Sequence, residues 1–256
     1  MEAGGYRQAM TAALVHLTVQ SGIATVTLDS PANRNALSGP LRAELLDALD
    51  RAADDSVRVV VLEHTGPVFC AGVGLPEPPE AVRELPAILE RILTHPKPVI
   101  AKLAGPARAG GVGIVAAADL AVAACHATFA FTEVRLGVVP AVISVTLRAR
   151  LLARAVQELL LTGETFDASR AVAIGLLTSA VPAHQLDAEV DRYVDMLVKG
   201  APEALALTKQ LLRAPTTTQD FGAMLELSAA RFASPEAQEG IQAFTHKRPP
   251  SWIPPP

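Results

Sequence analysis

Hydrophobic and polar positions follow two different periods along the first part of the chain. Residues 14–28 place β-branched residues in loose alternation around the turn dipeptide Ser21-Gly22, which predicts a β-hairpin. Leucine and alanine then recur at helical spacing across residues 41–52, and this predicts an amphipathic helix. The apolar run VRVVVL that begins at Val57 is typical of a strand covered on both faces. A hairpin, a helix and a buried strand are therefore expected to open the fold.

The succession of strand, loop and helix repeats further along the chain. A helix is predicted over residues 81–93 and a buried strand over residues 98–103. A Gly-rich turn at residues 109–111 leads into a helix of small residues, and the segments LAVAA and ATFAF that follow it are typical of strands. Three such rounds predict an α/β core.

Beyond Pro140 the pattern is mostly helical. Helices are predicted over residues 142–152, 155–161, 168–174, 186–198, 202–212, 219–232 and 235–244. Asp167 and Ser234 stand where N-cap residues are expected. The chain is accordingly predicted to form a core domain over residues 1–195 and a C-terminal helical region over residues 196–256.

Composition narrows the class of protein. The chain has 256 residues, of which 50% are hydrophobic and 19% charged, so a packed core is expected rather than disorder. A net charge of -4 and an aromatic content of 4% argue against a nucleic-acid partner. The two cysteines cannot form a disulfide framework, and neither a secretion signal nor an apolar run of about 18 residues is evident. A soluble, cytoplasmic protein is expected.

Two glycine-bearing loops are the first candidates for chemistry, since zinc, Walker, GxSxG and GxGxxG signatures are absent. Residues 69–72 follow the first buried strand, and residues 109–111 follow the second. Backbone N–H groups from two such loops could converge on one point and form an oxyanion hole. Alternatively, the small residues only allow a helix and the sheet to approach closely.

Glu133 is the second candidate. It lies in FAFTEVRLGVVP, where a strand passes into a turn. Apolar surroundings can raise the pKa of a carboxyl group toward neutrality and suit it to proton transfer. The alternative is a solvated loop acid paired with Arg135.

Six segments taken in order resemble the enoyl-CoA hydratase/isomerase (crotonase) superfamily. They are PANRNALS, GPVFCAGVGL, AGPARAGGVGIVAAADLAVA, FTEVRLGVVPAVIS, LTGETFDASRAVAIGLLTSAVP and SPEAQEGIQAFTHKRPPSW. The stretch LGVVPAVIS with GGVGIVAAAD is also similar to methylglutaconyl-CoA-type hydratases. The resemblance implies a crotonase-like spiral of repeated ββα units whose C-terminal helical region serves trimerisation. It further implies an acyl-CoA thioester substrate, no metal, no redox cofactor, and homotrimers or dimers of trimers.

The resemblance also implies roles for particular residues. The backbone N–H groups of Ala71 and Gly110 would hold the thioester oxygen, and Glu133 would be the catalytic acid or base. The predicted substrate-binding residues are Arg34, Ala36, Gly72, Leu75, Gly111, Gly113, Pro140 and Lys247.

Three positions depart from the family pattern. Hydratases of the family commonly use two glutamates, and the first of these corresponds to Gly113 here. An acid is frequent where Gly74 stands and a lysine where Pro76 stands. Two-glutamate catalysis therefore cannot be transferred unchanged.

Three functions follow from this pattern. The first is reversible hydration of a 2-enoyl-CoA in fatty acid metabolism, a lyase reaction, with a water or a loop acid such as Glu77 or Glu80 replacing the missing glutamate. The second is Δ3–Δ2 enoyl-CoA isomerisation, for which Glu133 alone suffices. The third is a CoA-thioester-binding protein with little activity. Resemblance to hydratases favours the first, and Gly113 favours the second.

Overall fold

The structure is a computed structural model, and it describes residues 12–73, 83–213 and 221–254. Nine strands lie in the described part of the chain. They are β1 (Val15–Gln20), β2 (Ile23–Leu28), β3 (Val59–His64), β4 (Val99–Leu103), β5 (Ala107–Arg108), β6 (Leu120–Ala124), β7 (Thr128–Ala130), β8 (Thr165–Asp167) and β9 (Ser179–Val181). Six of them form one sheet in the order β1-β2-β3-β4-β6-β9, and β5, β7 and β8 form a smaller sheet.

The first two strands confirm the predicted hairpin. β1 and β2 pair antiparallel, and the turn between them holds Ser21 at φ 49° and Gly22 at φ 76°. From β2 to β9 every pairing in the large sheet is parallel. Parallel strands need long crossover connections, which the helices between them supply.

Ten α-helices lie in the described part of the chain. They are α1 (Gly39–Arg51), α2 (Leu85–Thr94), α3 (Gly110–Ala117), α4 (Ala141–Arg150), α5 (Ala153–Thr162), α6 (Ala168–Ala173), α7 (Leu186–Leu197), α8 (Pro202–Arg213), α9 (Phe221–Phe232) and α10 (Pro235–Thr245). None of the helices among these residues is long and apolar enough to cross a membrane.

The large sheet is covered on both faces, as the run of valines in β3 predicted. Val60 and Leu62 belong to the main core, into which α1, α2 and α3 also pack. Val59 and Val61 point to the other face and meet α7 through Val190 and its neighbours. Alternate side chains of one strand thus enter two separate cores.

The seven helices predicted beyond Pro140 are confirmed as α4 to α10, and two short strands that were not predicted lie among them. β8 pairs antiparallel with β7, and β9 pairs parallel with β6. Each strand has only three residues, too few to show an alternating pattern in the sequence. The pairing partners, which are distant in sequence, impose the extended backbone there.

Both predicted N-caps are confirmed. The Asp167 carboxylate accepts a hydrogen bond from the backbone N–H of Arg170 at 2.7 Å. The Ser234 hydroxyl accepts one from the backbone N–H of Ala237 at 3.2 Å.

The mixed α/β composition and the C-terminal helices agree with the predicted fold class. The predicted boundary between residues 195 and 196 falls in the last turn of α7. The division into two domains stays a prediction. α8 is fixed to the core by Lys209, whose ammonium group lies 2.6 Å from the Asp119 carboxylate and donates to the carbonyl oxygens of Ile92 and Lys97.

Candidate active site

The first glycine-bearing loop is held between two segments that are distant in the sequence. On one side, the N–H of Ala71 donates to the carbonyl of Arg34 at 3.1 Å, and the N–H of Leu37 donates to the carbonyl of Gly72 at 2.8 Å. On the other side, the N–H of Arg108 donates to the carbonyl of Cys70 at 2.9 Å. The loop is therefore a short strand-like segment whose position depends on both neighbours.

Asn35 fixes the segment that contains Arg34 and Leu37. Its buried amide donates to the carbonyl oxygens of Thr65 and Val68 and accepts from the N–H of Ser30. All three partners are backbone groups of loops, so this short side chain ties two loops together beside residues 70–72.

The structure brings the two glycine loops together, as predicted. A Cβ atom placed on Gly72 would lie 3.3 Å from the backbone nitrogen of Gly110 and 2.9 Å from the Cβ of Ala109. A Cβ placed on Gly111 would lie 2.7 Å from both the Cβ and the carbonyl oxygen of Cys70. These glycines are required because the N-terminus of α3 touches the loop at van der Waals distance.

Gly110 is the first residue of α3, so its N–H has no partner inside the helix. The preceding residue, Ala109, has φ 46° and ψ -119°, a conformation that residues with a side chain rarely adopt. Ala109 is held there by the bond from its N–H to the carbonyl of Ala130 at 3.1 Å. Local strain of this kind is common at functional sites and costs roughly 1–3 kcal/mol.

The assignment of Ala71 as an oxyanion donor needs correction. Its N–H is already engaged with the carbonyl of Arg34. Gly72, at φ 85°, ends this strand-like pairing, and no acceptor for the N–H of Val73 lies among the described residues. Sequence reasoning missed Val73, because the engagement of the Ala71 N–H depends on Arg34, a residue of another loop.

Glu133 begins a short 3-10 helix over Glu133–Leu136, directly after β7. It is half-buried, and its Oε2 atom is buried without a hydrogen-bond partner. Burial raises the pKa of this carboxyl group, and its own backbone N–H opposes the shift in part. The alternative pairing with Arg135 does not occur, since the Arg135 side chain donates to the carbonyl of Thr162. A poorly solvated carboxyl group of this kind suits proton transfer near neutral pH.

Gly113 lies one turn along α3 from Gly110 and is buried. A Cβ atom at this position would lie 2.7 Å from Cγ2 of Ile143 and 3.6 Å from Cδ1 of Leu89. The space that a side chain at residue 113 would need is therefore occupied by hydrocarbon from α4 and α2.

The remaining predicted binding residues are dispersed. Arg34 is exposed with φ 61°, and Ala36 is half-buried beside it. Pro140 is half-buried immediately before α4, and Lys247 is exposed beyond α10 with φ 52°. Nothing in the geometry assigns a ligand contact to them, so their roles stay predictions.

The predicted residue Leu75 lies outside the described residues. The same is true of Gly74 and Pro76, at which departures were noted, and of the loop acids Glu77 and Glu80.

Cys70 is a packing residue. It is fully buried, and burial raises the pKa of its thiol to about 12. Such a thiol is protonated at neutral pH and is a poor nucleophile. Within the ranges that the structure describes, no group of three or more His, Cys, Asp and Glu side chains could hold a metal ion.

The half-buried Glu133 carboxyl group, with its unpartnered oxygen, follows the strand whose Ala130 carbonyl accepts the N–H of Ala109, the residue before α3. A carboxyl group of this kind together with a free N–H at a helix N-terminus is typical of acid–base sites that act on a substrate carbonyl. The comparison with known proteins agrees. The model of the family described as enoyl-CoA hydratase/isomerase matches residues 18–254, and this chain belongs to that family. Proteins of the family act on acyl-CoA substrates.

The chain is similar to curated and solved proteins over nearly its whole length. A Thermus thermophilus protein named "Putative enoyl-CoA hydratase" is 38% identical over 89% of this chain and 96% of its own. A solved enoyl-CoA hydratase from Mycobacterium avium is 44% identical with a TM-score of 0.75, covering 94% of this chain and 100% of its own. One from Mycobacterium smegmatis has a TM-score of 0.85 at 33% identity, covering 93% and 98%. The crotonase fold is confirmed; assembly, compartment and cofactor use stay predictions.

Proposed function

We propose that this protein moves the double bond of an acyl-CoA thioester between the Δ3 and Δ2 positions, with Glu133 as the one proton carrier. The observation that carries the proposal is the packing at Gly113. Ile143 and Leu89 occupy the space of a side chain there, whereas Glu133 keeps a buried oxygen without a partner. A reaction that needs a single carboxylate fits this arrangement best.

The chemistry follows from the charges. Ionised Glu133 removes a proton from C2 of the 3-enoyl-CoA. The electron pair of that C–H bond forms a C1–C2 double bond, and the π pair of the carbonyl group moves to the thioester oxygen. As the carbonyl group re-forms, the C1–C2 pair moves to C2–C3, and the C3–C4 π pair takes the proton from protonated Glu133 at C4, which leaves the double bond between C2 and C3. No net oxidation or reduction occurs, so the step requires no redox cofactor.

The N–H groups of Val73 and Gly110 are proposed to bind the enolate oxygen. Gly110 begins a helix of eight residues, so the partial positive charge of its N-terminus adds to the hydrogen bond. Removal of one such donor in other enzymes costs roughly 3–4 kcal/mol of transition-state stabilisation. These two N–H groups replace the Ala71 and Gly110 pair of the sequence-based prediction.

Hydration of a 2-enoyl-CoA is the second candidate. The names of the two mycobacterial hydratases favour it, and Glu77 or Glu80 would have to supply the second carboxylate. A CoA-thioester-binding protein with little activity, the third function considered above, would give little turnover in either assay.

The test offers 3-enoyl-CoAs of several chain lengths to the wild type, to Glu133→Gln and to Glu164→Gln in deuterated water. We expect migration of the double bond by the wild type, with part of the C2 hydrogen recovered at C4 because Oε2 of Glu133 is shielded from solvent. Glu133→Gln should lose about 10²–10⁴-fold in kcat. Glu164 is an exposed acid, so Glu164→Gln is the matched control and should retain full activity.

Two results would contradict the proposal. Turnover that survives in Glu133→Gln would remove this carboxylate from the mechanism. Efficient hydration of crotonyl-CoA with no migration of any 3-enoyl double bond would favour the second candidate.

A further inference from the structure

An apolar wall runs along one face of α3. Cβ atoms placed on Gly110 and Gly113, one turn apart, would meet Leu85 and Leu89 of α2, which are also one turn apart. The contact distances are 3.4 Å from the Gly110 position to Cδ2 of Leu85 and 3.6 Å from the Gly113 position to Cδ1 of Leu89. Hydrocarbon therefore covers this face of the helix from its first residue onward.

Ile143 of α4 makes the tightest contact in this wall. Its Cγ2 atom lies 2.7 Å from the position of a Cβ on Gly113, a distance that real Cβ atoms essentially never show. Ile143 is 2% exposed, so its side chain is buried in the core between α3 and α4. The Thr146 hydroxyl, on the same helix, donates to the carbonyl oxygen of Ile143 at 3.0 Å and lies 3.5 Å from the carbonyl oxygen of Gly113. A Cβ atom at residue 113 therefore requires the Ile143 side chain or its surroundings to shift.

We infer that Ile143 is a specificity-determining residue that keeps the site from hydrating its substrate. The inference rests on the proposed isomerisation and deepens it. Addition of water at C3 needs a second polar group to hold and orient the water molecule. Hydrocarbon side chains offer no hydrogen-bond partner, and a water molecule requires two to four polar partners to be retained. The 2-enoyl product therefore leaves unhydrated.

The effects of Gly113 and Ile143 depend on each other. Gly113 alone does not leave room for a second carboxylate, because Ile143 occupies that room. Restoration of an acid at residue 113 should consequently fail unless Ile143 is shortened at the same time.

The first experiment measures hydration of crotonyl-CoA by Gly113→Glu, by Gly113→Glu with Ile143→Ala, and by Gly113→Glu with Leu147→Ala. Leu147 is the matched control, because it is fully buried on the same helix one turn further along and makes none of the closest contacts at residue 113. We expect the Ile143 double variant to hydrate at least about tenfold faster than the other two. Equal rates in the two double variants would overturn the inference.

The second experiment does not depend on any activity. Gly113→Ala adds only a Cβ atom and is introduced into the wild type and into Ile143→Ala. We expect it to lower the midpoint of thermal unfolding in the wild type and to leave it nearly unchanged when Ile143 is already truncated. If Gly113→Ala lowers the unfolding midpoint equally in the wild type and in Ile143→Ala, Ile143 does not occupy the space beside Gly113. That result would overturn the inference.

The two proposals can fail separately. A wild type that does not isomerise any 3-enoyl-CoA overturns the proposed function. If the double variant with Ile143→Ala still gains hydration and the unfolding midpoints remain coupled, Ile143 is nonetheless what excludes water from the site.

Discussion

Glu133 lies at the candidate active site, and the burial of its carboxyl group lowers the free energy of unfolding when that group is charged. Its carboxyl group is half-buried, has one oxygen without a partner and has a pKa raised above 4.5 by burial. The folded protein therefore favours the uncharged form of Glu133 more than the unfolded chain does. The free energy of unfolding falls as the pH rises from 4.5 through this raised pKa, because the folded state must then hold a charge that is poorly solvated.

Replacement of Glu133 by glutamine should remove this cost. Glutamine stays neutral, so Glu133→Gln should be more stable than the wild type at pH 8 and close to it at pH values near the unperturbed pKa of about 4.5. Urea unfolding at the two pH values measures the difference, and Glu164→Gln serves as the exposed control. A stability gain that does not depend on pH would argue against titration of Glu133 as its cause.

The geometry of the site depends on the contact between α3 and the first glycine-bearing loop. The N-terminus of α3 presses against residues 70–72, and Gly111 is the residue at the point of contact. A side chain there would push against the carbonyl oxygen of Cys70, which also accepts the N–H of Arg108. Displacement of this loop would also move Val73 relative to Gly110.

Gly111→Ala should therefore impair both folding and catalysis. Overpacking of this kind typically costs about 1–3 kcal/mol of unfolding free energy, and kcat should fall more than KM rises, because the oxyanion donors act mainly in the transition state. Gly39→Ala is the control, since a Cβ on Gly39 would meet only the end of the Arg42 side chain at 3.6 Å. Equal effects of the two substitutions on kcat would refute the role given to the contact at Gly111.

At the scale of the whole molecule, one buried cation connects the C-terminal helices to the core. Lys209 is 8% exposed and contacts Asp119, and it also donates to two carbonyl groups of the core. Burial lowers the pKa of Lys209 to about 8, and Asp119 opposes the shift. Since the unfolded chain holds this proton up to pH values of about 10.5, the unfolded state binds more protons between pH 8 and 10.5.

The wild type should consequently gain stability between pH 8 and 10, and Lys209→Met should lose this part of the pH dependence. Asp119 keeps its contact with Arg213 at 3.0 Å in that variant, so the carboxylate is not left without a partner. Lys199→Met changes an exposed lysine to the same residue and should keep the wild-type slope. Chemical unfolding of the three proteins across this pH range measures the free energy of unfolding. The same pH dependence in the wild type and in Lys209→Met would exclude Lys209 as the titrating group.

The sequence predicted those features that depend on local pattern or on adjacent residues. The hairpin, the helix α1 and the caps at Asp167 and Ser234 all belong to this kind. Glu133 was found because its position at the end of a strand is visible in the sequence.

Features that depend on contacts between distant segments were missed. Ile143 lies thirty residues from Gly113, so no local pattern shows that it occupies the space beside the glycine. The engagement of the Ala71 N–H depends on Arg34, a residue of another loop. β8 and β9 are extended because of their partners in the sheets rather than their own three residues.

The strand-like pairing of residues 70–72 also has a kinetic consequence. The bond from Ala71 to Arg34 and the bond from Arg108 to Cys70 each close a chain segment of more than thirty residues. Closure of such segments is entropically unfavourable until the surrounding core has formed. We therefore expect the site to complete late in folding. Hydrogen exchange pulsed during refolding should protect the amides of Ala71 and Arg108 later than the amides of the large sheet.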